Sequence, residues 1–141
     1  MEKLLKRYVI YVDAGYKHLH EKPIYVAYVK KGDDGEEIVK EIIPEEAHSS
    51  TFAEYQGLKV VLTRLAQYFY GEVIIYNDNR NMVNQMRGRR PGVDNLVKEK
   101  SLCDFLWTEA VKKGNIILLK WVKGTDNKAD KYVKQLKKEL K

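Results

Sequence analysis

Apolar and polar positions change period several times along the chain, and each change marks an element. Tyr8-Val9-Ile10-Tyr11-Val12 is a β-branched and aromatic run, and Asp13-Ala14-Gly15 behind it is a turn signal. The pattern predicts a buried strand that closes at Asp13. Pro23–Val29 predicts a second strand and Glu37–Ile43 a third, separated by the polar turn Lys31-Gly32-Asp33-Asp34-Gly35 and stopped by Pro44. Consecutive strands with short connections predict an antiparallel meander.

From Ser50-Thr51 the period lengthens. Phe52, Leu58, Val61, Leu62, Leu65 and Phe69 fall on one face of a helix, with Tyr55 and Tyr68 beside them. Ser50 or Thr51 is the expected N-cap, Glu54 stands at capping-box spacing from Thr51, and Gly71 is the expected end. Val73–Tyr76 predicts a fourth strand that runs into Asn77-Asp78-Asn79, and Arg80–Gly88 a short helix. Asp94–Lys113 predicts a long amphipathic helix with Cys103 and Trp107 on its apolar stripe. Ile116–Val122 predicts a fifth strand with Trp121 in the core, and a last helix follows from about Lys128, with Asp126 as its expected N-cap. Strands that alternate with helices in the second half require right-handed parallel crossovers. The expected architecture is α/β: a five-stranded mixed sheet, strands one to three antiparallel and strands four and five parallel to strand one, flanked by helices in a single domain over 1–141.

Composition narrows the class. A chain of 141 residues fits one domain, and 44% hydrophobic with 33% charged residues describes a folded, soluble protein. No apolar run approaches the roughly 20 residues that a membrane span needs, and Met1–Arg7 lacks the apolar stretch of a secretory signal. One cysteine, Cys103, excludes an internal disulfide and a cysteine-based zinc site, so a reducing, cytoplasmic setting is expected. The net charge of +6 is compatible with a polyanionic partner without singling one out.

The candidate chemistry lies at element ends. Asp13 closes the first strand and Asp78 the fourth; in adjacent parallel strands these ends lie side by side at the carboxyl edge, where α/β proteins place ligands. Glu54 lies in the first turn of the helix that returns to this sheet, and Asp130 in the first turn of the last helix. Each taken singly is ordinary turn or cap chemistry. Taken jointly, the topology brings all four to one place. Two carboxylates about 4 Å apart repel by roughly 4 kcal/mol at an effective dielectric near 20. A small domain has only about 5–15 kcal/mol of stability, so such a cluster needs protons or divalent cations. An all-oxygen ligand set suits Mg²⁺ or Mn²⁺, and two such ions about 4 Å apart form the arrangement that cleaves phosphodiesters.

The residues at these four places resemble those of type 1 ribonuclease H. Tyr11-Val12-Asp13-Ala14-Gly15 resembles the family's first strand with its Asp-Gly pair, and Thr51-Phe52-Ala53-Glu54-Tyr55-Gln56-Gly57-Leu58 its Ala-Glu-x-x-Ala-Leu helix start. The segment from Ile74 through Asp78-Asn79 to Gln85 is similar to the family's strand-Ser-Asp-Ser-x-x-Val-x-Asn-Gln stretch, and Trp121-Val122 to Ala129-Asp130 to its Trp-Val … Asn-x-x-Ala-Asp stretch. The resemblance implies an endonuclease that hydrolyses the RNA strand of RNA–DNA hybrids and leaves 5′-phosphate and 3′-hydroxyl ends. It implies that Asp13, Glu54, Asp78 and Asp130 are the catalytic carboxylates and hold two Mg²⁺ or Mn²⁺ ions, with Asp13 bridging both. Glu54 would also lie near the 2′-hydroxyl beside the scissile phosphate, the group that separates RNA from DNA. The hybrid duplex is the expected partner, read through groove shape and backbone. Ser50, Thr51, Asn79, Arg87, Arg89 and Arg90 are the expected substrate contacts, and the chain is expected to act as a monomer. A nuclease of the same fold acting on double-stranded RNA or branched DNA, and a non-catalytic nucleic-acid-binding module, are the alternatives.

The chain departs from the family pattern in places. Tyr16–Pro23 replaces a Gly-Asn-Pro-Gly type turn, Ser49-Ser50-Thr51 replaces the second Asn of an Asn-Asn pair, and the loop Lys123–Asn127 lacks the His that many members carry before the last helix. Lys134, Lys137, Lys138 and Lys141 read as a solvated helix face, and His18 and His20 as inert loop residues.

Overall fold

The computed structural model describes residues 6–17 and 20–139. The readings of His18, of the His20 side chain and of Lys141 lie outside the described residues. The β-branched and aromatic runs form β1 (Arg7–Lys17), β2 (His20–Gly32), β3 (Gly35–Ile43), β4 (Glu72–Asn77) and β5 (Ile116–Trp121). The segments of helical period form α1 (Ser50–Gln67), α2 (Arg80–Met86), α3 (Asp94–Lys112) and α4 (Asp130–Glu139). The strands make one five-stranded sheet in the order β3-β2-β1-β4-β5. β1 is antiparallel to β2 and parallel to β4, and β4 is parallel to β5, as the crossover argument predicts.

The sheet separates two apolar layers. Tyr8, Ile10 and Val12 of β1 and Ile24, Val26 and Tyr28 of β2 belong to the core shared with α1 and α3. Tyr25, Ala27 and Val29, on the alternate positions of β2, pack with Ala129, Val133 and Leu136 around α4. α1 lies close on β1 because Gly57 offers no side chain: a Cβ there would stand 3.1 Å from the Val12 side chain. A mid-helix glycine costs about 1 kcal/mol relative to alanine. Here it permits the approach that brings Glu54, one turn earlier, to the end of β1.

Several boundaries differ from the sequence reading, each for a tertiary reason. β1 does not turn at Asp13. It stays paired with β2 through Asp13↔Ala27 and Gly15↔Tyr25, while its parallel pairing with β4 ends at Tyr11↔Tyr76. Asp13 is therefore held on one edge by β2 and is past the ladder on the other. The N-cap of α1 is Ser49, whose Oγ accepts the Phe52 N–H at 3.1 Å; neither Ser50 nor Thr51 caps it. The Thr51–Glu54 capping box is not made, because Glu54 is drawn into the carboxylate site and Thr51 Oγ1 donates to Asn79 Oδ1 at 3.4 Å.

α1 ends at Gln67, before Phe69 and Gly71. The buried Asn115 side chain ends it: Nδ2 donates to the Leu65 and Tyr68 carbonyls at 2.7 and 2.9 Å, and Oδ1 accepts the Tyr70 and Gly71 N–H groups at 2.7 and 3.1 Å. Asp126 lies exposed in a 3₁₀ turn, Gly124–Asp126, and is not the cap of α4; Asn127 Oδ1 accepts the Ala129 N–H instead. Cys103 is fully buried, and burial pushes its thiol up to about 12, which keeps it protonated and inert. Trp107 packs against the core as expected. Trp121 does not: it is 37% exposed, donates Nε1–H to the Asp78 carbonyl at 3.1 Å and carries the Arg80 guanidinium over its ring at 4.1 Å.

Candidate active site

Asp13, Glu54 and Asp78 converge: one carboxylate oxygen from each lies within 4.8 Å of the others. Asp13 comes from β1, Glu54 from the first half of α1, and Asp78 from the residue after β4. The cleft they open, about 380 Å³, is also lined by Ser50 and by Asp130 of α4. Asp130 stands outside the group of three and makes an ion pair with Lys134 at 2.8 Å.

Amide side chains tie these segments together. Asn77, fully buried, donates from Nδ2 to the Val12 carbonyl at 3.0 Å and to Glu54 Oε1 at 3.1 Å, while its Oδ1 accepts the Asn79 N–H at 2.8 Å. Asn127 donates to the same Val12 carbonyl at 2.9 Å. That carbonyl sits where the β1–β4 ladder has stopped, so its strand partner is missing and side chains replace it. Residues adjacent to Asp13 and Asp78, and another three before Asp130, are thus pinned at one atom.

The electrostatics follow from burial and crowding. Asp13 is pushed up to about 7, first by burial and then by the Asp78 charge, with Asp130 adding; hydrogen bonds from Glu54 and the Ala14 backbone pull the other way. Glu54 is held well above the usual carboxylate range, first by burial, then by Asp13 and Asp78, with the Asn77 amide opposing. Among the described residues none of the three makes an ion pair. Three carboxylates with oxygen donors only, two of them buried and none in an ion pair among the described residues, fit a hard divalent cation.

The other sequence candidates divide. Ser50 lines the cleft. Thr51 is buried against Asn79, and Asn79 caps α2 by accepting the Met82 N–H at 2.9 Å, so both are engaged in holding α1 and α2 together beside Asp78. Arg87, Arg89 and Arg90 are exposed and line no part of the carboxylate cleft; Arg87 instead borders a groove with Trp107, Lys120 and Trp121. The sequence reading gives Asn77 and Asn127 no role in the site and places Trp121 in the core instead. The signal was present for the two amides: each stands next to, or three residues before, a candidate carboxylate in a segment that must leave a strand. The Lys134–Lys137 face is not wholly solvated, since both residues line the cleft.

No protein-family model and no curated protein matches this sequence. Solved structures do. LC11-RNase H1, isolated from compost by a metagenomic approach, superposes with a TM-score of 0.79 at 22% identity over 96% of this chain and 99% of that one. The same enzyme in complex with an RNA/DNA hybrid gives a TM-score of 0.74 at 19% identity, over 95% and 99% of the two chains. The N-terminal RNase H domain of Rv2228c from Mycobacterium tuberculosis gives 0.73 at 20% identity, over 96% and 99%. These likenesses show an α/β fold, the ribonuclease H fold, shared with solved RNase H1 structures.

Proposed function

We propose that the protein is a divalent-cation-dependent endonuclease that hydrolyses the RNA strand of RNA–DNA hybrids and leaves 5′-phosphate and 3′-hydroxyl ends. The observation that carries this reading is the convergence of Asp13, Glu54 and Asp78 within 4.8 Å at the carboxyl edge of parallel strands, in a fold shared with an RNase H1 seen bound to a hybrid. Asp13, Glu54, Asp78 and Asp130 are the residues that would hold Mg²⁺ or Mn²⁺, two ions per site. Such ions, when bound, lower the pKa of an attacking water and stabilise the leaving oxygen.

The chain's own residues supply the rest. Asp13 shares a hydrogen bond with Glu54 inside the cluster. Glu54 is oriented by the Asn77 amide. The backbone geometry at Asp78 is set by the Trp121 indole on its carbonyl. The reading extends to a monomer acting in the cytoplasm.

The test is cleavage of a hybrid labelled on its RNA strand, in Mg²⁺ and in Mn²⁺, beside double-stranded RNA and branched DNA. Cutting of the hybrid alone, lost on chelation and in Asp13→Asn, is the expected result. Preference for another duplex reassigns the substrate. No cleavage of any of them by the intact protein overturns the activity.

A further inference from the structure

One cation is seated in the carboxylate cleft without a carboxylate partner. Lys134 is occupied by Asp130. Lys137, half-buried on the same cleft wall, makes no ion pair among the described residues. Its end lies over Gly15 of β1: a Cβ built there would stand 2.9 Å from Lys137 Nζ and 3.2 Å from Cε. The ammonium therefore rests against bare backbone, two residues past Asp13. The backbone at Gly15 is not in the left-handed region, and the strand register shifts just beyond it; the bare backbone there leaves open room that the end of the lysine side chain occupies.

Asp130 and Lys137 are seven residues apart on α4, about two turns and roughly 10.5 Å along the axis, on one face. That places a group with three N–H donors farther along the cleft from the acidic cluster. A free carboxylate ligand is repelled from a cleft with this many acids. A phosphodiester strand threaded past divalent ions is not, and it carries a further anion on the neighbouring nucleotide. We propose that Lys137, lying over Gly15 on the cleft wall, binds a backbone phosphate of the cut strand next to the scissile one and so sets the register of that strand in the cleft. The proposal rests on the nuclease reading above and deepens it.

The effect belongs to binding rather than to the chemical step. Lys137→Ala is expected to raise KM for the hybrid about tenfold with kcat within about twofold. The slope of log affinity against log salt should shrink by about one, the signature of one lost phosphate contact. Lys137→Arg should keep both near wild type. Gly15→Ala leaves every charge in place and only shifts the flexible end of the lysine, so its effect should be smaller than that of Lys137→Ala, with no further loss in the double variant. Thermal unfolding checks that each variant is folded.

Fluorescence anisotropy with a labelled hybrid, using the Asp78→Asn background so that nothing is cut, reads the salt slope independently of catalysis. A wild-type protein that binds the hybrid with a slope reduced by Lys137→Ala, yet cuts nothing, sinks the nuclease reading and keeps the phosphate contact. An unchanged KM and an unchanged salt slope in Lys137→Ala overturn the contact itself.

Discussion

Asn77 and Asn127, fifty residues apart, donate to the same atom, the Val12 carbonyl, at 3.0 and 2.9 Å. This shared acceptor joins the end of β1, the end of β4 and the approach to α4, the three places from which Asp13, Asp78 and Asp130 project. Asn77→Ala removes one donor from the carbonyl and the amide that orients Glu54. A buried hydrogen-bonded group left without its partner costs about 1–3 kcal/mol, so the urea midpoint should fall accordingly. Asn77→Asp should destabilise more at neutral pH, because it adds a charge where three already crowd. In both variants kcat should drop more than KM rises.

The carboxylate cluster makes stability depend on pH in an unusual direction. Asp13 rises from 3.8 to about 7 on folding. Between those values the folded chain keeps a proton that the unfolded chain has lost, so the contribution of Asp13 to stability falls as pH rises from about 4 to about 7 and is level above that, and Glu54, also raised, adds a loss in the same direction. The span is worth about 4 kcal/mol if Asp13 acts alone. In metal-free buffer, urea titrations of wild type and Asp13→Asn across this range should diverge, the variant gaining on the wild type as pH rises. Parallel curves would contradict the burial and crowding deduced for the site.

Divalent ions should reverse that loss. At pH 8, a ligand present at a hundredfold over its dissociation constant adds about 2.7 kcal/mol to stability, so MgCl₂ or MnCl₂ should raise the unfolding temperature of the wild type. The rise should be small in Asp13→Asn and in Asp78→Asn, and small for the wild type at pH 5, where protons compete for the same oxygens.

Trp121 supports Asp78 from outside the core. Its indole N–H holds the Asp78 carbonyl, and Arg80 lies over its ring. Trp121→Phe keeps the ring for Arg80 and loses the hydrogen bond. The expected cost is about 1 kcal/mol in stability, together with a loss of kcat greater than that of Arg80→Ala. Equal activity in Trp121→Phe and wild type would show that the Asp78 backbone needs no such support.

Asn115 offers a contrast, because its work is purely architectural. It closes α1 and orders the entry to β4, far from the carboxylates, with donors and acceptors all satisfied. Asn115→Ala should cost about 2–4 kcal/mol, the upper end for a buried polar network, while cleavage by the folded fraction at 25 °C keeps its wild-type kcat.

The strands and helices were legible in the chain because side-chain pattern is a local property: the β-branched and aromatic run Tyr8–Val12 marks a buried strand, and the longer period from Phe52 to Leu65 reports which side of a helix meets the core. The parallel direction of β4 and β5 followed from their helical connections, whereas the place of β4 beside β1, on which the meeting of Asp13, Glu54 and Asp78 at one edge depends, was decided by packing. Other features came from contacts between segments remote in the chain. Ser49, Ser50 and Thr51 are chemically alike, and the cap fell to Ser49 once Glu54 was drawn into the cleft. Asn77, Asn115 and Asn127 read as polar residues near breaks; their roles arise from which carbonyls the packed strands and helices leave unpaired. Trp121 lies on an apolar strand, yet its exposure follows from its place on the edge strand beside Asp78. Lys137 meets Gly15 only because α4 lies across β1. A side chain's type limits the bonds it can make, but its partner is chosen by the packing that brings distant backbone within reach.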